Sequence, residues 1–343
     1  MKLPLIAITM GDPAGIGPEI IIKALSQLKT YSLCRPVVVG DASVLEDACN
    51  ITHRSFKINS IKHPKEGKFK FGIVDTIDLG NVEMSKLQYG QVSAMCGKAS
   101  GEYIEKTINL ALSNEVKATV TAPIHKEAFR LGGWGEKYAG HTEMYADLTK
   151  TKHYSMMLAH GTFRTVHVTT HVSLLEACKL IKKDRVLDVI RIANDACLSL
   201  GITEPKIGVA GLNPHAGDNG LFGSEEVNAI EPAIKVAQKE GMNVQGPVPA
   251  DTIYSKAIGG WYDIVVSMYH DQGHIPMKLS GFQWDEGKNN WKTISGVNVT
   301  LGLPIIRVSV DHGTAFGKAG KGIASSDSMI DAIKMATEFV NSK

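Results

Sequence analysis

Asp263-Ile264-Val265-Val266-Ser267-Met268 is an apolar run without polar alternation. Pro36-Val37-Val38-Val39-Gly40 and Lys206-Ile207-Gly208-Val209-Ala210-Gly211 have the same character. A strand with one face in water alternates; a strand buried on both faces does not. Such strands belong to parallel sheets covered by helices. Working outward, shorter β-rich runs stand at 5–9, 72–77, 118–121, 155–158, 165–169 and 305–310. Amphipathic helical windows fall near 17–28, 101–112, 174–182, 185–200, 225–240 and 328–340. The last opens at Ser325-Ser326-Asp327-Ser328, a cluster of N-capping side chains. Strand–helix alternation from end to end predicts an α/β fold with mainly parallel pairing. The polar stretch 283–296 (QWDEGKNNWKTISG) reads as a surface loop.

A length of 343 residues predicts about two domains. No repeat and no low-complexity linker divides them, so the chain is expected to cross between domains more than once. The balance of 37 Lys+Arg against 35 Asp+Glu argues against nucleic-acid binding through a bulk positive field. No run approaches the 18 apolar residues of a membrane span. The apolar start is too short for a secretory signal and is broken by Gly11-Asp12-Pro13. Five cysteines without a C-x-x-C pair fit neither a disulfide framework nor a cysteine zinc site. The expectation is a cytoplasmic protein with reduced thiols.

No P-loop is present. Gly15-Ile16-Gly17-Pro18 begins like a Rossmann fingerprint but lacks its third glycine. His270-Asp271-Gln272-Gly273-His274 carries the histidine spacing of a zincin. Gly273 and Pro276 argue against a continuous helix there, and Asp271 stands where the catalytic glutamate belongs, so a metalloprotease is rejected. Three histidines remain, His171, His215 and His270, each following a predicted strand. Carboxyl ends of parallel strands form the binding edge of such sheets, and three imidazoles there suit a catalytic divalent metal. Each could instead merely cap a turn. His167 lies four residues before His171, about 13 Å along a strand, too far to share its ion. Lys278 and Arg307, with Asn298 between them in sequence, and His141-Thr142 at a glycine turn suggest a small phosphorylated or carboxylated substrate.

The segment Gly11-Asp12-Pro13-Ala14-Gly15-Ile16-Gly17-Pro18-Glu19 resembles the opening loop of 4-hydroxythreonine-4-phosphate dehydrogenases. So do TTH (169–171), GLNPHAGDNG (211–220), PADT (249–252), MYHDQGHIPMK (268–278) and VNVTLGLPIIRVSVDHGTA (297–315), in order along nearly the whole chain. Asp311-His312-Gly313-Thr314-Ala315 with Ala319-Gly320-Lys321-Gly322-Ile323-Ala324 resembles the adenosine-binding loop of the β-decarboxylating isopropylmalate and isocitrate dehydrogenases. The resemblance implies two α/β/α domains flanking a cleft, as in that group. The nucleotide-binding domain would comprise 1–120 plus 280–343, and 121–279 would form the metal, substrate and dimerisation domain.

The resemblance also implies site roles. His171, His215 and His270 would bind one divalent metal (zinc, magnesium, manganese or cobalt), in a site completed across a homodimer. His141, Thr142, Lys278, Asn298 and Arg307 would contact substrate. Gly15, Gly313, Thr314 and Gly320 would contact NAD, with NADP as the alternative. Asp251, in the PADT segment, would lie close to the metal, and from its chemistry Asp251 or a water it holds is the candidate catalytic base. The implied reaction is oxidative decarboxylation of a phosphorylated four-carbon 3-hydroxy acid, most simply 4-phosphooxy-L-threonine to 3-amino-2-oxopropyl phosphate in pyridoxal phosphate biosynthesis. Two features depart from that simplest case: the insertion at 283–296, and Gly273-His274-Ile275-Pro276, which looks more like the branch acting on D-threonate or D-erythronate 4-phosphate to give dihydroxyacetone phosphate. A metal-dependent hydrolase or lyase, or a non-catalytic metabolite-binding relative, is the reading of another class.

Overall fold

The computed structural model describes residues 3–285, 287 and 290–342. The strands are β1 (Leu5–Thr9), β2 (Arg35–Gly40), β3 (Lys57–Ile61), β4 (Ile73–Asp78), β5 (Ala118–Thr121), β6 (Ser155–His160), β7 (Phe163–His167), β8 (Lys206–Ala210), β9 (Asn243–Val248), β10 (Ile264–Ser267), β11 (Phe282–Asp285), β12 (Asn290–Ile294), β13 (Val297–Leu301) and β14 (Ile306–Val310). The α-helices are α1 (Gly17–Leu25), α2 (Leu28–Leu33), α3 (Ala42–Ile51), α4 (Ala94–Leu112), α5 (Lys126–Leu131), α6 (His141–Leu148), α7 (Leu174–Leu180), α8 (Lys183–Leu198), α9 (Glu231–Lys239), α10 (Ala250–Ile258), α11 (His270–Gly281) and α12 (Asp327–Asn341). The fold is mixed α/β, as the alternation of apolar runs and amphipathic windows requires.

Two compact units divide the chain, one running through Lys152 and resuming at Leu303–Asn341, the other formed chiefly by His153–Gly302. In the first, six parallel strands lie in the order β3-β4-β2-β1-β5-β14. Ile6, Ala7, Ile8, Val37, Val38, Val39 and Val120 are essentially inaccessible, as strands covered on both faces must be. In the second, the order is β13-β6-β7-β10-β8-β9. There β7, β10, β8 and β9 pair in parallel, and β6 and β13 add antiparallel strands.

The unit boundaries fall at 152/153 and 302/303, not at the 120/121 and 279/280 read from the sequence. The cause is packing. Phe129, Tyr138, Met144 and Tyr145 share a core with Ile104 and Ile108 of α4, which keeps residues 121–152 with the first unit. Pairing of β13 with β6, Asn298 opposite Leu158, keeps 297–302 with the second.

Two local expectations are corrected. The flanks of 283–296 are no loop: β11 pairs antiparallel with β12, Phe282 opposite Ile294. The stretch carries strand-favouring residue types, Trp, Thr and Ile, beside the Asn and Lys content that suggested a loop. Glu286, Lys288 and Asn289, also within that stretch, lie outside the described residues. The second correction is α11, which runs continuously through Gly273 and Pro276. Tertiary packing overrides propensity here. A Cβ on Gly273 would lie 2.4 Å from His167 Nε2 and 2.8 Å from Thr165 Oγ1, so only glycine lets the helix sit this close to β7. Gln272 ties down the first turn: its Oε1 accepts from Met268 N (2.6 Å) and its Nε2 donates to Gly211 O (2.7 Å).

Candidate active site

In the second unit the neighbouring parallel strands β7, β10 and β8 lead, in that order, to His171, His270 and His215. His270 opens α11 directly after β10. Its Nδ1 lies 2.7 Å from Asp271 Oδ1. When that nitrogen carries the proton, Nε2 presents its lone pair outward, the usual arrangement of a ligating histidine. The rings of His171 and His270 are 5.7 Å apart. Both line a cavity of about 300 Å³ together with Thr170, Val172, Leu174, Tyr269 and Asp271.

His215 is presented differently. It begins a turn in which His215, Ala216, Gly217, Asp218 and Asn219 all have positive φ, from 42° to 80°. Left-handed backbone costs roughly 1–2 kcal/mol per L-residue, so something must hold it. Among the described residues no three of His, Cys, Asp or Glu converge to hold a metal ion. The chain thus brings His171 and His270 together and leaves His215 on its own turn. As a donor set, imidazoles suit a divalent cation in chemistry. Asp251 is exposed in the first turn of α10. Lys278 lies on α11 with its Nζ 4.4 Å from the Phe282 ring centre. Asn298 has a buried Oδ1 with no hydrogen-bond partner.

The first unit holds the glycine loop. It follows β1, whose neighbours β2 and β5 lie on opposite sides; such a divergence of strand order marks the binding crevice of parallel sheets. Ile16 N donates to Thr314 O (3.1 Å), and a Cβ on Gly15 would lie 3.0 Å from Thr314 Cβ. Gly313 faces open space. From α1, the Glu19 carboxylate accepts from Gly320 N (2.6 Å) and Gly322 N (2.8 Å), while Lys23 Nζ donates to Gly322 O (2.6 Å) and Ala324 O (2.7 Å). One helical turn therefore grips the loop that carries Gly320. Backbone without side chains beside a helix N-terminus suits a dinucleotide. Inside the loop, Asp12 is fully buried; Oδ1 accepts from Ala14 N (2.9 Å) and Oδ2 has no partner. Burial pushes its carboxyl up to about 6.

Arg307 on β14 is 3% exposed. Its Nη2 donates to Thr121 Oγ1 (3.0 Å) and its guanidinium lies 5.5 Å from the Tyr145 ring centre. Desolvation lowers its pKa to about 10, with Glu143 and Tyr145 opposing the shift. His141 begins α6, with Thr142 next to it. The residue is half-buried, but its Nε2 is sealed from solvent without a partner. Desolvation first, and Arg307 second, hold this imidazole neutral. The guanidinium thus lies close enough for its charge to act on the His141 imidazole. Lys278 and Asn298 belong to the other unit from Arg307, His141 and Thr142.

Several participants escape the sequence reading. Thr121 and Tyr145 orient Arg307 but carry no motif. His274 stacks on His270 with ring centres 3.5 Å apart, and His167, fully buried, lies 4.8 Å from His274. The signal for His274 was the i,i+4 spacing itself, set aside because of Gly273 and Pro276.

Residues 32–336 match the family described as "Pyridoxal phosphate biosynthetic protein PdxA". A relative in Oceanobacillus iheyensis, named "Putative D-threonate 4-phosphate dehydrogenase", is 47% identical over 346 residues, covering 100% of this chain and 99% of its own. Crystal structures of 4-hydroxythreonine-4-phosphate dehydrogenases from Burkholderia phymatum and Klebsiella pneumoniae superpose with TM-scores of 0.84 and 0.86. They are 44% and 40% identical, covering 99% and 98% of each chain. With residues 32–336 matched by the family and the fold shared at full length with two of its dehydrogenases, the chain belongs to the PdxA family of dehydrogenases.

Proposed function

We propose that this dehydrogenase carries out NAD-dependent oxidative decarboxylation of a phosphorylated four-carbon 3-hydroxy acid, with D-threonate or D-erythronate 4-phosphate as substrate. The observation that carries the substrate class is Arg307, a buried guanidinium beside the partnerless Nε2 of neutral His141. A phosphate or carboxylate oxygen would pair with the guanidinium charge and accept from His141 Nε2 when that nitrogen carries the proton. His141, Thr142, Lys278, Asn298 and Arg307 are the proposed substrate contacts. Gly15, Gly313, Thr314 and Gly320 are the proposed contacts to NAD.

The chemistry follows from the substrate. Oxidation takes place at C3, for which NAD would be the hydride acceptor, and the C3 hydroxyl gives up its proton. The resulting β-keto acid loses C1 as carbon dioxide, and the enol left behind is protonated at C2. D-threonate 4-phosphate thereby gives dihydroxyacetone phosphate. A divalent cation, with His171, His215 and His270 as its holders, would supply polarisation of the C3 oxygen. Asp251, exposed at the start of α10, is the proposed proton acceptor, directly or through water. Exposed Val172, Leu174, Leu175, Leu221 and Phe222 near these histidines in sequence support a homodimer that covers them and completes the ligand set.

The sugar-acid reading is supported by the name of the Oceanobacillus relative and by the resemblance of Gly273-His274-Ile275-Pro276 to that branch. The second reading, 4-phosphooxy-L-threonine to 3-amino-2-oxopropyl phosphate, is supported by the names of the two crystal structures. Parallel assays of NADH formation with the three acids decide between them. The highest kcat/KM should fall on a threonate or erythronate phosphate. A clear preference for the amino acid overturns that choice, and absence of NADH with all three favours a hydrolase or lyase.

A further inference from the structure

The turn that begins at His215 holds five successive residues at positive φ, and the Glu226 carboxylate is bonded to the segment that leads into it. Glu226, 1% exposed, accepts from Leu212 N (2.7 Å) and Asn213 N (2.7 Å) through Oε1, and from Asn213 Nδ2 (2.9 Å) through Oε2. These bonds fix the two residues that lead into Pro214 and His215. Gly217, inside the turn, packs against the same group: a Cβ there would lie 2.7 Å from Glu226 Oε2. Glu225 Oε2 accepts a further bond from Asn213 Nδ2 (2.8 Å).

A second, independent feature concerns the helix that supplies the carboxylate. Glu226 opens a π-helical turn, Glu226–Ile230, that runs into α9. A π turn inserts one residue into the helical register and rotates the preceding side chains relative to a plain α-helix. It is unfavourable in isolation and tends to mark function. Here it lies where the helix reaches back to the carboxyl end of β8.

We propose that Glu226 is a positioning residue, holding the left-handed turn so that His215 is presented ready to bind metal. The inference rests on the proposed role of His215. A carboxylate is needed because it accepts from three donors at once, which a neutral amide cannot do. Without it the turn relaxes toward right-handed backbone, and the fraction of chains presenting His215 correctly falls. Apparent affinity falls in proportion to that fraction.

The test titrates metal-free protein with Zn²⁺ by calorimetry, comparing wild type, His215→Ala, Glu226→Gln and Asn213→Ala, and measures NAD affinity on the same samples. Glu226→Gln preserves shape but sets an amide donor against Asn213 Nδ2. Zinc affinity should fall about tenfold or more, as for other groups that orient metal ligands, while NAD affinity stays unchanged. Amide exchange at Leu212 and Asn213 should quicken in the metal-free state. Asn213→Ala, at a less buried position, should move zinc affinity the same way and serves if Glu226→Gln folds poorly. Weakening by His215→Ala with wild-type affinity in both other variants overturns the clamp and spares the role of His215. Indifference of zinc to His215→Ala overturns both.

Discussion

Gly273→Ala sets two physical effects against each other with opposite signs. Gly273 lies inside α11, where alanine in place of glycine ordinarily stabilises by about 1 kcal/mol. The new methyl, however, would lie 2.4 Å from His167 Nε2, 2.8 Å from Thr165 Oγ1 and 2.9 Å from Ser267 Oγ. None of the three can retreat easily. His167 and Thr165 are fully buried, the His167 Nδ1 is 3.1 Å from Met156 O, and the two hydroxyls bond each other at 2.6 Å. Overpacking of this kind costs about 1–3 kcal/mol. The net expectation is a loss of up to about 2 kcal/mol, a fall in Tm of up to about 8 °C for units of this size. The helix must also shift outward, and His270 and His274 move with it, so kcat should fall further than stability alone would explain. Thermal unfolding and turnover are measured for Gly273→Ala, His167→Ala and the double variant. Removing the His167 ring relieves the closest contact, so alanine at 273 should harm that background less. A higher Tm for Gly273→Ala, or an equal penalty in both backgrounds, refutes the close-packing account of why α11 contains glycine.

The Asp12 carboxyl, raised to about 6 from its ordinary 3.8, gives a pH signature. Between about pH 4 and 6 the folded chain keeps a proton that the unfolded chain has lost, so this group's contribution to stability falls as pH rises through that window. Asp12→Asn should therefore raise Tm at pH 7.5, by up to about 3 kcal/mol in stability, with the gain vanishing near pH 4; a destabilised variant at pH 7.5 contradicts the assignment. Arg307→Ala should raise KM for the phosphorylated acid by about 10–100-fold and leave KM for NAD nearly unchanged; equal effects on both count against an anion contact. Glu19→Ala removes two bonds to Gly320 and Gly322 and should weaken NAD binding about tenfold, with zinc affinity intact. Fluorescence titration with NADH reads that change, and unaltered affinity removes Glu19 from the account of the loop.

The parallel α/β fold was legible because strands covered on both faces need continuous apolar runs, and 36–40, 206–211 and 263–268 have them. The strand-end histidines were legible by the same route, since β7, β8 and β10 end just ahead of them. What escaped was whatever long-range contact decides. The helix at His270–Gly281 was rejected because Gly273 and Pro276 disfavour helices locally, yet Gly273 is there to admit His167 from another strand. The hairpin of β11 and β12 was hidden by polar composition. Thr121 and Tyr145 carry no motif because they matter only through Arg307.

Glu19 and Glu226 show a further limit and a pattern. Each is a buried acid on a helix flank, 1% exposed, of a kind that sequence reading assigns to solvent. Each instead accepts backbone amides from a loop that carries a proposed ligand contact: Gly320 in one unit, His215 in the other. The chemistry calls for loops of unusual conformation, with Gly320 and His215 both at positive φ. Such loops do not hold their shape through their own contacts. A carboxylate with two oxygens can engage successive amides at the base of a turn, so one side chain fixes several dihedrals. In both units, therefore, the loop with the proposed contacts is rich in glycine and readable as a motif, while the acid that holds it lies on a helix far from or well past that loop in sequence: Glu19 for the loop of Gly320 and Gly322, and Glu226 for the turn of His215.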